Sequence, residues 1–129
     1  GIRMKLTSFG KFTRKLRIDH DELLKDMAEK LGVTVSYLSA VEMGKRNIPS
    51  KWADILIKEY KLDEKEQIEL KEAIFFSSKI IKLDTSNFED NKKDLVYALA
   101  RKLKDLDEEK VTNIKEILFD NRSWYKWIK

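Results

Sequence analysis

The chain has 129 residues, 39% of them charged, with a net charge of +4, one proline and no cysteine, which fits one compact domain or a small domain with an appendage. Without cysteine there are no disulfides and none of the usual structural zinc sites. No apolar run approaches a membrane span and no signal-peptide pattern is present, so a cytoplasmic location is expected.

Gly1-Ile2-Arg3 ahead of Met4 reads as a cloning remnant, with Met4 the expected native start. Phe9, Phe12 and Leu16 mark one face of a first helix that Ser8 could cap, with Lys11, Arg14 and Lys15 outside. Leu23, Leu24, Met27 and Leu31 place a second helix at about 21 to 31, where the small Ala28 lets another helix cross closely. Gly32 ends it in the left-handed conformation, and Val33 tucks into the angle that follows. Thr34 caps a third helix at about 35 to 43 with Leu38 and Val41 as its buried stripe, ended by Gly44. Lys45-Arg46-Asn47 and Ile48-Pro49 lead to a fourth helix beginning near Ser50, with Trp52, Ile55, Leu56 and Tyr60 on its inner face and Trp52 as a core plug. Asp63 caps a fifth, carrying Ile68, Leu70, Ile74 and Phe75.

After this five-helix domain, expected over residues 4–76, the composition changes. Residues 77–88 read as a linker: Lys79-Ile80-Ile81-Lys82-Leu83 is β-prone and Asp84-Thr85-Ser86-Asn87 is a turn. Ser86 and Glu89 have capping-box spacing. Leu95, Leu99, Leu103 and Leu106 then form one helical stripe; Asp107 caps a last helix with Val111, Ile114, Ile117 and Leu118 as a second. Asp107-Glu108-Glu109 suits the dipole of that helix start. Residues 89–129 are thus expected to form a helical hairpin, which cannot bury both faces alone and must pack on the first domain or on another copy. Self-association is favoured, through Leu95, Leu99, Leu103, Ile114, Ile117 and Leu118, with Trp124 and Trp127 of the aromatic tail.

The stretch from Lys25 to Ser50 resembles the XRE class of helix-turn-helix proteins, the lambda-repressor and Cro-like regulators. The resemblance covers roughly Phe9 to Ile74 and rests on the Met-Ala of MAEKLGV, on Leu38, Val41, Glu42 and Gly44 at their spacing, and on Leu16-Arg17 upstream. It implies an all-α, lambda-repressor-like fold and a structural ion pair between Arg17 and Glu42. It also implies that Val35, Ser36 and Ala40 make base contacts, with Tyr37 and Ser39 flanking. Phosphates would fall to Thr34, Lys45, Arg46, Asn47, Ser50 and Lys51. Two departures stand out. The reading stretch holds no Arg, Gln or Asn for a bidentate base contact, and Leu24 stands where many relatives carry a phosphate-gripping glutamine.

Charge agrees with this in a modest way. Residues 1–62 hold 13 Lys and Arg against 8 Asp and Glu, whereas residues 63–129 hold 14 against 15. A single helix-turn-helix reads only a few base pairs, so the expected partner is double-stranded DNA with a palindromic operator, bound by a homodimeric repressor of bacterial or phage type. The alternative is an antitoxin-like module whose C-terminal region binds a protein partner. An enzymatic role is not expected: His20 is the single histidine, in a charged turn, and there is no HExxH site, Cys-His pair or glycine-rich phosphate loop. No cofactor or metal is expected either.

Overall fold

The computed structural model describes residues 5–119. Among them the regular structure is entirely helical, with no strand, in seven α-helices and one 3-10 turn. They fall into two compact units, the chain dividing between Ile81 and Lys82.

The first unit holds α1 (Ser8–Asp19), α2 (Leu24–Leu31), α3 (Val35–Glu42), α4 (Trp52–Glu59) and α5 (Glu64–Ser77). Side-chain caps start three of them. Thr7 Oγ1 accepts the Gly10 amide at 3.1 Å, Thr34 Oγ1 accepts that of Tyr37 at 3.1 Å, and Asp63 accepts that of Glu66 at 2.8 Å while Glu66 bonds back to the Asp63 amide. The cap of α1 is therefore Thr7 rather than Ser8, which is already helical. The second helix begins at Leu24, three residues later than the apolar spacing suggests, because Asp21 takes a left-handed φ of 55° to close α1. Leu23 has no side-chain oxygen to cap with, and Asp26 instead accepts its amide at 2.8 Å.

The first four helices end alike. Asp21, Gly32, Gly44 and Lys61 each take positive φ, and the next amide donates back to the carbonyl five positions earlier: Glu22 to Arg17, Val33 to Ala28, Lys45 to Ala40 and Leu62 to Ile57. These closures end each helix abruptly, and the five helices pack over one core.

That core is built from Phe9, Leu16, Met27, Leu38, Val41, Trp52, Leu56 and Leu70, all buried. Each such side chain removed from water contributes roughly 1.5–3 kcal/mol. Trp52 is 3% exposed, with its ring 6.1 Å from that of Phe9, so it is a core plug. Of the residues expected to mark the fifth helix, Leu70 is buried and Ile74 packs against the core, whereas Phe75 is 49% exposed; Ala73, three on from Leu70, is the further buried residue of α5.

Two braces complete the unit. The Phe9 amide donates to Ser77 Oγ at 2.8 Å, fastening the start of α1 to the end of α5. Between α2 and α4, Glu22 accepts from Tyr60 Oη and Lys30 Nζ, each at 2.5 Å, and Lys30 lies over the Tyr60 ring. Burial alone would raise the Glu22 carboxyl; the hydrogen bonds from Lys30 and Tyr60, with the Lys30 charge, outweigh it and hold the group below its ordinary value. The brace therefore acts at neutral pH and is lost as pH falls through that lowered value. His20 stays exposed, edge-on to Tyr60.

The β-prone Lys79–Leu83 segment forms no strand, there being no neighbouring strand to pair with among the described residues. In the second unit, Asp84 accepts the Ser86 amide in a local turn. Glu89 itself is the residue that precedes α6, so Ser86 and Glu89 do not make the capping box their spacing suggests. α6 (Asp90–Lys102) passes through a 3-10 turn, Leu103–Asp105, to α7 (Glu108–Leu118), whose start is capped by Asp107 accepting the Lys110 amide at 2.9 Å. No described residue of this unit is buried. Val96, Leu106, Val111 and Ile114 are half-covered, whereas Leu95, Leu99, Leu103, Ile117 and Leu118 are exposed.

Candidate nucleic-acid interface

The orientation of α3 is set from inside, through Glu42 at its last turn. The carboxylate of Glu42 receives Arg17 in a two-pronged contact, Nη1 to Oε2 at 2.5 Å and Nη2 to Oε1 at 3.1 Å. Thr13 Oγ1 donates to the same Oε2 at 2.6 Å, and Arg17 Nη1 also reaches the Met27 sulfur at 3.2 Å. Arg17 and Glu42 are 8% and 4% exposed, so the pair is desolvated, and no buried polar side-chain atom is left without a partner among the described residues.

The Glu42 carbonyl is held as firmly as its side chain. It accepts the Thr7 amide at 3.0 Å and Thr7 Oγ1 at 2.9 Å. Gly10 is what lets α1 come this close: a Cβ there would lie 2.3 Å from the Glu42 oxygen. One residue thus binds α3 to α1 by main chain and side chain together, and through Arg17 to α2.

With Leu38 and Val41 turned into the core, α3 shows its other face to solvent. A shallow depression there is lined by Leu24, Val35, Ser36, Ser39, Ala40, Met43 and Lys45. Val35 is 42% exposed and Ser36 is exposed; Ser39, Ala40, Met43 and Leu24 are half-covered. Tyr37 is placed elsewhere: its ring stands edge-on against Trp52 at 5.9 Å, and the Arg46 guanidinium lies over it at 5.6 Å. This tethers Arg46 beside α3. Lys45, Arg46, Asn47, Ser50 and Lys51 are all exposed, and the Thr34 hydroxyl accepts from Tyr37 while keeping its own proton free to donate. The acidic Glu22, Asp26 and Glu29 line a different surface of α2, sharing no residue with this depression.

Neither Met43 nor Leu24 was expected on this face of α3. Met43 was within reach of the spacing, since Val35, Ser39 and Met43 follow one another at four-residue steps. Leu24 comes from the neighbouring helix, and nothing in its own periodicity marks it. Among the described residues no group of His, Cys, Asp and Glu could hold a metal ion, and no helix is long and apolar enough to cross a membrane. Trp124 and Trp127 lie outside the described residues.

Residues 14–66, from within α1 to the first turn of α5, match the family described as helix-turn-helix. No curated relative and no solved structure gives a significant match.

The Arg17–Glu42 geometry has a measurable consequence. Arg17→Met should destabilise the chain by about 3–5 kcal/mol in urea unfolding, because it strands a buried carboxylate. Arg17→Met with Glu42→Leu should recover most of that loss, the Thr13 hydroxyl proton turning from the lost carboxylate to the Gly10 carbonyl 3.1 Å away. A single variant costing less than about 1 kcal/mol would mean that the pair behaves as a solvated one.

Proposed function

We propose, from the premise that residues 14–66 are an XRE-type helix-turn-helix domain of the lambda-repressor and Cro-like kind, that the chain is a homodimeric repressor reading a palindromic duplex operator through α3. Such a domain makes the chain a DNA-binding helix-turn-helix regulator; dimerisation, the palindrome and the sense of regulation are the proposed part. The observation that carries the reading is the exposed α3 face, held rigidly from behind by Glu42 and followed directly by Lys45, Arg46 and Asn47.

In this reading, Val35, Ser36, Ser39 and Ala40 meet base edges. Lys45, Arg46, Asn47, Ser50 and Lys51, with Thr34, hold the phosphates and set the register of the helix in the major groove. Tyr37 serves the phosphate set by fixing Arg46 rather than by touching a base. The second unit supplies the partner copy. Its exposed Leu95, Leu99, Leu103, Ile117 and Leu118 form apolar surface on a hairpin with no buried side chain among its described residues, which supports an association role.

Selection from random duplexes should enrich an inverted repeat. Lys45→Ala with Arg46→Ala should weaken binding to all sequences and flatten the dependence of log K on log salt by about 2. Failure to recover any motif, with binding absent or insensitive to salt, would contradict the reading.

In sedimentation velocity the parent chain should run as a dimer and Leu99→Asp as a folded monomer. A parent chain that is monomeric at every concentration would contradict self-association. Combined with a stoichiometric protein partner captured through residues 84–129, it would favour the antitoxin-like alternative.

A further inference from the structure

We infer that the α3 depression recognises the C5 methyl groups of thymine, and that Leu24 and Met43 determine specificity there together with Val35 and Ala40. The inference rests on the duplex-DNA reading above and names what that site selects.

The chemistry of the lining carries it. Four apolar side chains, Leu24, Val35, Ala40 and Met43, share the depression with two hydroxyls, Ser36 and Ser39, and with Lys45. Each base pair shows a different pattern in the major groove. Guanine offers two acceptors, best met by arginine or lysine; adenine offers an acceptor and a donor, best met by asparagine or glutamine; cytosine offers a donor, met by a carboxylate. The depression holds no arginine, asparagine, glutamine or carboxylate, and Lys45 comes after α3 has ended, in the basic loop. Thymine offers an acceptor and a methyl group. A serine hydroxyl can donate to the acceptor, and apolar side chains are the natural complement of the methyl.

Two further observations point to nucleic acid as the occupant of this surface. The loop that follows it carries Lys45 and Arg46, with Lys51 beyond, all exposed, and no acidic side chain lines the depression itself. That is charge complementarity to a polyanion. Leu24 also gains a role. A leucine at the start of α2 cannot grip a phosphate through its side chain, but it widens the apolar strip that Val35 and Ala40 begin, and Met43, flexible and polarisable, extends it at the other end.

The test uses the full chain and the duplex recovered by random selection. Deoxyuridine is placed at each thymine in turn, which removes the methyl and leaves pairing and the O4 acceptor unchanged. Each contacted thymine should then lose roughly fourfold in affinity, the value of one buried methyl-sized group, and two together more than about tenfold. Val35→Thr and Met43→Gln, checked for folding by circular dichroism, should each shrink the penalty at one thymine to less than about twofold.

A selected motif without thymine would overturn the inference, as would a deoxyuridine duplex bound with full affinity; in either case the DNA-binding reading survives. A penalty that is the same in the parent chain and in both variants would overturn it by placing the effect in duplex shape. Absence of binding to any duplex would overturn the DNA-binding reading and this inference with it.

Discussion

Glu42 receives a guanidinium and a hydroxyl on its carboxylate, and an amide and a second hydroxyl on its carbonyl, all from α1 or the residue that caps it. Of these side chains, Thr13, Arg17 and Glu42 are almost wholly desolvated. A bidentate pair in this setting defines an angle as well as a distance, because both nitrogens of the fork must meet both oxygens. The direction of α3 is therefore fixed at its C-terminal end by α1. At the other end, Gly32 and the Thr34 cap fix it to α2. What remains free is the outer face of the helix. Such a buried pair adds less net stability than its geometry suggests, and its main effect here is on arrangement.

The first unit was largely legible in the sequence because its signals are local. Gly32 and Gly44 mark helix ends by backbone freedom, Thr34 and Asp63 mark starts by side-chain oxygens, and Leu38 with Val41 gives the buried stripe of α3 by spacing alone. The Arg17–Glu42 contact joins residues 25 positions apart and came from family resemblance, not from periodicity. The misjudged points share one cause, competition that a linear reading does not weigh. Thr7 rather than Ser8 caps α1 because Thr7 is also the residue that reaches Glu42. Asp21 delays α2 because α1 needs a left-handed closure. Phe75 turns outward while Leu70 and Ala73 occupy the buried face of α5.

The outer face of α3 was legible in part. Val35, Ser36, Ser39 and Ala40 share one face by spacing, whereas Tyr37 lies on another and meets Trp52, a partner 15 positions on that no short-range rule connects to it. Leu24 joins the face only because α2 and α3 cross. The outcome is a surface whose positive charge lies in the loop after α3, while apolar groups and hydroxyls lie on the helix. Position and selection are thereby divided: the loop can hold a backbone of any sequence, and the helix can prefer only what apolar groups and hydroxyls distinguish.

The most direct test of α3 as the DNA-reading element is an amide chemical-shift titration of the isotope-labelled full chain with its selected duplex. The largest changes should fall on residues 34–40, on Met43 and on residues 45–47, with the buried Leu38 and Val41 moving less than their exposed neighbours. Changes confined to α6 and α7, with α3 and the loop after it unmoved, would contradict that assignment.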